Sequence, residues 1–152
     1  MNPFGDPEKP QGSFIAVPVS IHFGDTDPYG VVYFASYFRY CHQGIEALFE
    51  RLGLPPHLYF RNSERGFGLP IVGASCDFYR PVKYGDKLTL KVCVKHLKAK
   101  SVTFGFFFYK ENSEDLVAKG EATIVAIDRN WKSCALPDDV RSALEKFAGD
   151  LN

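Results

Sequence analysis

The chain lacks a net charge, because eighteen lysines and arginines are matched by eighteen aspartates and glutamates. That balance excludes the broad positive field of a nucleic-acid binder, so any anionic ligand must be met locally. Long apolar runs are missing too. No stretch could span a bilayer as a helix, and the opening MNPFGDPEKPQG places Pro, Gly and charge where a secretion signal would need apolar residues. Residues 1–12 read as a flexible tail ahead of a single domain over 13–152. Cysteine is sparse: Cys41, Cys76, Cys93 and Cys134 stand far apart, with no Cys-x-x-Cys spacing. Reduced, buried thiols and a cytoplasmic location are expected. His22, His42, His57 and His96 are equally scattered, so no metal-ligand spacing is present. Internal repeats and low-complexity blocks are absent as well.

What the chain does have is 45% apolar residues over 152 positions, enough for one core. Ile15, Val17, Val19, Ile21 and Phe23 alternate with the period of a half-buried strand, and Pro18 marks it as an edge or a bulge. Phe34, Tyr37, Phe38, Cys41, Ile45, Leu48, Phe49 and Leu52 fall on one broad helical stripe. Gly53 and Pro55-Pro56 stop that helix. At 1.5 Å per residue it spans roughly 30 Å, the width of a small domain, which predicts a path through the core. The segment from His57 to Gly68 is polar and glycine-flanked, a loop able to cover a pocket. Strands follow over Leu69–Val82, Lys87–Lys95, Val102–Phe108 and Leu116–Ile127, the middle two joined by the turn Lys98–Lys100. Leu136-Pro137-Asp138-Asp139 opens a C-terminal helix ending near Phe147. The sum is an α+β domain in which a five-stranded antiparallel sheet wraps one long central helix. Aromatics on both faces of the Phe104–Tyr109 strand predict that one face meets another subunit, unless the C-terminal helix covers it.

Between the first strand and the long helix lies the most informative stretch, FGDTDPYGVVYFASYF from Phe23 to Phe38. Asp25 and Asp27 supply carboxylates, Pro28 fixes a backbone angle and Gly30 permits a sharp turn. Backbone N–H groups of Val32, Tyr33 and Phe34 at the helix entry would point with the helix dipole at whatever lies in front. A carboxylate beside such donors can attack an activated carbonyl and hold the resulting oxyanion. The competing reading is that both aspartates merely cap the helix and close an Asx turn.

The motif Asp-x-Asp-x-x-Gly-Val-Val-Tyr leading into an aromatic helix start, together with the order of elements, resembles the hotdog-fold thioesterases of the 4-hydroxybenzoyl-CoA thioesterase family. The resemblance covers about residues 14–135. It implies an acyl-CoA thioesterase with Asp27 as nucleophile or base toward water, Asp25 as a structural partner and the Phe34 N–H as the carbonyl-polarising donor. It implies no metal or redox cofactor. Lys98, Lys100 and Ser101 fall where relatives bind the phosphates of coenzyme A, with Ala99 in place of a further cation. His42 falls where relatives carry an acid near the acyl group, and suits a flat, hydroxylated ring. The expected substrate is an aromatic acyl-CoA; a short aliphatic acyl-CoA, or a non-catalytic CoA-binding module, are the alternatives. The expected assembly is a homodimer or homotetramer, with no nucleic-acid or membrane partner.

Overall fold

The computed structural model describes residues 9, 10 and 12–149, so most of the expected tail lies outside the described residues. Strand β1 runs Phe14–Ser20, burying Ile15 and Val19, and pairs with one neighbour only among the described residues. Pro18, which cannot donate to a ladder, therefore sits in an edge strand. The chain then turns through a short 3₁₀ segment, Phe23–Asp25, before helix α1, Phe34–Arg51. The expected strand thus ends three residues early, because Asp25 closes that segment by accepting the His22 N–H at 3.0 Å.

Helix α1 buries Tyr37, Tyr40, Cys41, Gly44, Ile45, Leu48 and Phe49, leaving Ala35, Arg39, His42, Gln43 and Glu50 exposed. Phe34 is exposed rather than part of the stripe, and Gly44 is the point of closest approach. A Cβ there would lie 2.9 Å from Val92 Cγ2 and 3.0 Å from Leu90 Cδ2, so glycine lets the helix settle directly on the sheet. A one-turn helix α2, Pro56–Tyr59, follows, and then a miniature hairpin of β2, Arg61–Asn62, and β3, Phe67–Gly68. The expected loop is therefore a paired lid-like element.

Strands β4 (Ile71–Phe78), β5 (Lys87–Leu97), β6 (Ser101–Lys110) and β7 (Leu116–Val125) complete the large sheet, and helix α3 spans Asp138–Ala148. All pairings are antiparallel, in the order β1-β5-β6-β7-β4. The last three strands form a meander, while β4 lies at the far edge beside β7. Phe104, Phe106 and Phe108 are fully buried against α1, and Val140 and Leu144 of α3 join the same core.

The outer aromatics are a correction. Phe107 and Tyr109 are 3% and 5% exposed, enclosed within the chain in a small cluster with Cys93 and Leu116. Lys91 lays its ammonium 4.8 Å from the Tyr109 ring and 5.0 Å from the Phe14 ring, so its aliphatic stem helps cover this face. Enclosed within the single chain, these aromatics do not by themselves call for a second subunit. Exposed apolar side chains do run along β4, where Ile71, Val72 (61%) and Phe78 face solvent beside an edge that is unpaired among the described residues.

Candidate active site

The acid turn is built by its own backbone. Asp27 N–H donates to Val31 O at 2.9 Å and Gly30 N–H returns to Asp27 O at 2.9 Å, a loop closed with Gly30 at φ 79°. Asp27 Oδ1 accepts the Tyr29 N–H at 2.9 Å. That leaves Oδ2 without a hydrogen-bond partner among the described residues, in a half-buried side chain.

Of the three N–H groups expected to be open at the helix entry, two are taken. Val32 N–H donates to Val82 O at 2.7 Å and Tyr33 N–H donates to Asp25 O at 2.8 Å. The Phe34 N–H alone of the three has no acceptor among the described residues. Tyr33 occupies the N-cap position with no side-chain cap, so neither aspartate caps α1. The capping reading thus fails for the helix, although Asp27 does close an Asx turn.

Asp25 serves as the joint between turn and helix. Its carbonyl also accepts the Ser36 hydroxyl at 3.0 Å, and its carboxylate pairs with Arg39 at 2.8 Å. Burial opposes ionisation of Asp25, but the His22 N–H, the nearby Tyr40 hydroxyl and the Arg39 guanidinium outweigh it and hold the carboxyl below its usual value. The Tyr40 hydroxyl is enclosed beside that carboxylate without reaching hydrogen-bond geometry to any described group. Sequence reasoning missed Ser36, Arg39 and Tyr40. Arg39 lies fourteen residues from Asp25, and no local pattern announces such a pair.

Asp27 and Phe34 line one cleft of about 450 Å³, walled by Val32, Tyr37, Phe78 and Pro81. Burial pushes the Tyr37 phenol up to about 12, so it offers the cleft a neutral ring. The other expected site residues lie elsewhere. His42 lines a separate cavity of about 650 Å³, its Nδ1 2.8 Å from Glu46 Oε1. Lys98, Lys100 and Ser101 sit on the β5–β6 turn, and both lysines are exposed without an ion pair among the described residues. The sheet register separates this turn from the cleft: Ser101 is opposite Val125, whereas Phe78 is opposite Ala118. Seven strand residues at about 3.3 Å each put roughly 23 Å between those ends. No metal-binding cluster of His, Cys, Asp and Glu occurs among the described residues.

A family model described as the thioesterase-like superfamily matches residues 21–144. The 1,4-dihydroxy-2-naphthoyl-CoA hydrolase of Synechococcus sp. (strain CC9605) is 37% identical over 130 residues, covering 83% of this chain and 86% of that one. Its counterpart from Crocosphaera subtropica is 34% identical over 110 residues, 72% and 79% of the two chains. The crystal structure of a 1,4-dihydroxy-2-naphthoyl-CoA thioesterase from Synechocystis superposes with a TM-score of 0.78 at 28% identity, over 86% of this chain and 95% of that one. A gentisyl-coenzyme A thioesterase superposes with a TM-score of 0.75 at 26% identity, over 86% and 99%.

Proposed function

The chain belongs to the thioesterase-like superfamily and is an acyl-CoA thioesterase, and we propose that it hydrolyses 1,4-dihydroxy-2-naphthoyl-CoA to the naphthoate and coenzyme A, a step toward phylloquinone. The observation that carries this reading is the pairing, in one cleft, of a carboxylate oxygen and a helix-entry N–H that both lack a partner among the described residues. The thioester carbonyl would accept from the Phe34 N–H, which is aimed by the helix dipole and strengthens its bond as the oxygen becomes an oxyanion. Asp27 Oδ2 then has two routes. It can add to the carbonyl carbon, expelling the CoA thiolate and leaving an anhydride that water hydrolyses. Alternatively it can take a proton from water, whose oxygen adds to the same carbon. In either case the products are the free acid and the thiol. Asp25 orients the turn and takes no part in the bond changes.

The recognition side of this proposal calls for a second copy of the chain. The open edge and apolar exposure of β4 support a homodimer in which two β4 strands pair antiparallel about a two-fold axis. Such pairing sets the Phe78 end of one strand against the Ile71 end of the other. The Asp27 cleft of one protomer would then face the His42 cavity and the Lys98-Lys100-Ser101 end of its partner, closing the roughly 23 Å gap within one chain. We place the acyl ring toward His42 and the CoA phosphates toward Lys98, Lys100 and Ser101 on that basis. The lack of a disulfide among the described residues supports a reducing, cytoplasmic setting. Thiol release measured on 1,4-dihydroxy-2-naphthoyl-CoA, benzoyl-CoA and butyryl-CoA tests the assignment, with the highest kcat/KM expected for the naphthoyl thioester. A preference for butyryl-CoA, or no thiol release at all, contradicts it.

A further inference from the structure

The Phe34 N–H belongs to the same peptide unit as the Tyr33 carbonyl. A peptide is planar, and none among the described residues is cis, so this N–H points opposite to its C=O. Whatever holds the Tyr33 oxygen therefore aims the Phe34 donor. Ser36 holds it, its backbone N–H donating to Tyr33 O at 2.9 Å. A hydrogen bond to the carbonyl also polarises the amide, which makes the N–H at its other end a stronger donor.

Ser36 is fixed in turn through its side chain. Its hydroxyl donates to Asp25 O at 3.0 Å, and the same carbonyl accepts the Tyr33 N–H at 2.8 Å. Three bonds thus close a circuit through Asp25, Tyr33 and Ser36, with both polar groups of the Tyr33 backbone inside it. Arg39 sets the direction of the hydroxyl. Its Nη2 donates to Ser36 Oγ at 3.0 Å, which occupies an acceptor position and leaves the Ser36 hydrogen for Asp25.

A serine in the first turn of a helix ordinarily faces water or bonds back to groups close in sequence. This one is 3% exposed, the single serine buried among the described residues, and its hydroxyl finds a carbonyl eleven residues earlier. Asp27 stands outside the circuit, since its backbone pairs with Gly30 and Val31 and its carboxylate with the Tyr29 N–H. The circuit governs the donor rather than the acid.

We propose that Ser36 is a positioning residue for the oxyanion, acting through the Tyr33–Phe34 peptide, with Arg39 orienting its hydroxyl. The role rests on the thioesterase reading above and adds to it the group that aims the carbonyl-polarising N–H. As negative charge gathers on the thioester oxygen, a donor already aimed and polarised stabilises it without reorganisation.

The test is single-turnover thiol release by the full chain, wild type and Ser36→Ala, from 1,4-dihydroxy-2-naphthoyl-CoA and from the dithioester in which sulfur replaces the carbonyl oxygen. Sulfur is a weak acceptor, so the dithioester draws little on the Phe34 N–H. With unchanged circular dichroism, Ser36→Ala should react with the oxygen thioester roughly tenfold more slowly at saturation, a part of the loss of about a hundredfold or more that follows removal of a whole oxyanion donor. The half-saturating concentration should change less than about twofold, the pattern of an interaction made in the transition state. The dithioester should slow far less, so the ratio of the two rates falls. Arg39→Gln should show the same pattern at about threefold, and it decides in place of Ser36→Ala should that variant not fold. An unchanged rate in the deciding variant overturns the inference. So does equal slowing with both substrates, which would mean that Ser36 serves the fold or Asp27 instead. Wild-type protein that releases no thiol from the oxygen thioester refutes the proposed function and this role with it; wild-type release with either of the two overturning results refutes this role alone.

Discussion

Arg39 Nη2 lies 2.8 Å from Asp25 Oδ1, an ion pair that ties the second turn of α1 to the acid turn before it. Since the Asp25 carbonyl also holds the Tyr33 N–H and the Ser36 hydroxyl, one residue fixes where the helix begins. The Asp27 side chain contributes to that scaffold through one carboxylate oxygen only, which accepts the Tyr29 N–H. Two acids a residue apart in the sequence are thus held differently, the Asp25 carboxylate by Arg39 and the His22 N–H, the Asp27 carboxylate by the Tyr29 N–H alone among the described residues, and the proposed function assigns geometry to the first and chemistry to the second.

Helix placement depends on the missing side chain at Gly44. Alanine there gains up to about 1 kcal/mol of helix propensity, but its Cβ would meet the stiff Val92 and the buried Leu90 at 3.0 Å or less. Overpacking of this kind costs about 1 to 3 kcal/mol, so with the full propensity gain Gly44→Ala should be net destabilising by up to about 2 kcal/mol. Urea denaturation measures it, and an unchanged or raised midpoint would mean that the sheet gives way more readily than the packing implies.

Acid stability should carry the signature of Asp139. The Arg65 guanidinium is the chief cause of its carboxyl lying at about 2; burial opposes the shift, and the Tyr59 hydroxyl and Val140 N–H reinforce it. A carboxyl depressed on folding stabilises the native state above its unfolded pKa, and that contribution fades as pH falls through the folded value. The melting temperature should therefore drop between about pH 4 and pH 2, more steeply in the wild type than in Asp139→Asn. Parallel curves for the two proteins would mean that solvent screens the pair, which is about two-fifths exposed.

The fold was largely legible because strands and helix announce themselves by period. The β5 and β6 alternation and the α1 stripe come within two or three residues of the observed elements. The acid turn was legible because Asp, Pro and Gly mark a turn whatever surrounds them. What remained hidden depends on distant partners. Nothing near Val82 signals that its carbonyl takes the Val32 N–H, and nothing near Phe107 signals that Cys93, Leu116 and a lysine stem will cover it. His42 shares a helix with Phe34, yet it opens on another cavity, and only the register shows the basic turn at the far end of the sheet.

Assembly is tested at β4. Light scattering should give twice the chain mass of 17.1 kDa, and Val72→Lys with Ala74→Lys should shift the population toward the single-chain mass, since lysines on an edge oppose strand addition. Activity should fall with the dimer. A fully active monomer would remove the need for a partner's cavity and basic turn.

Coenzyme A recognition is tested at the β5–β6 turn. Lys98→Ala with Lys100→Ala should raise KM for a CoA thioester about fivefold or more while kcat changes little, the pattern of lost uniform binding. The corresponding pantetheine thioester, which lacks the nucleotide, should react alike with both proteins. An unchanged KM for the CoA thioester would mark the turn as solvated surface.

The central claim is that Asp27 performs the chemistry while Asp25 holds the turn, and single-turnover thiol release from 1,4-dihydroxy-2-naphthoyl-CoA by Asp27→Asn and Asp25→Asn addresses it most directly. The amide keeps an acceptor for the Tyr29 N–H, so Asp27→Asn should remain folded, yet it offers neither nucleophile nor base. Its rate should fall by roughly two orders of magnitude or more, the usual contribution of a positioned proton-transfer group. Asp25→Asn should lose far less. Equal losses in the two variants, or a folded Asp27→Asn protein near the wild-type rate, would contradict the account.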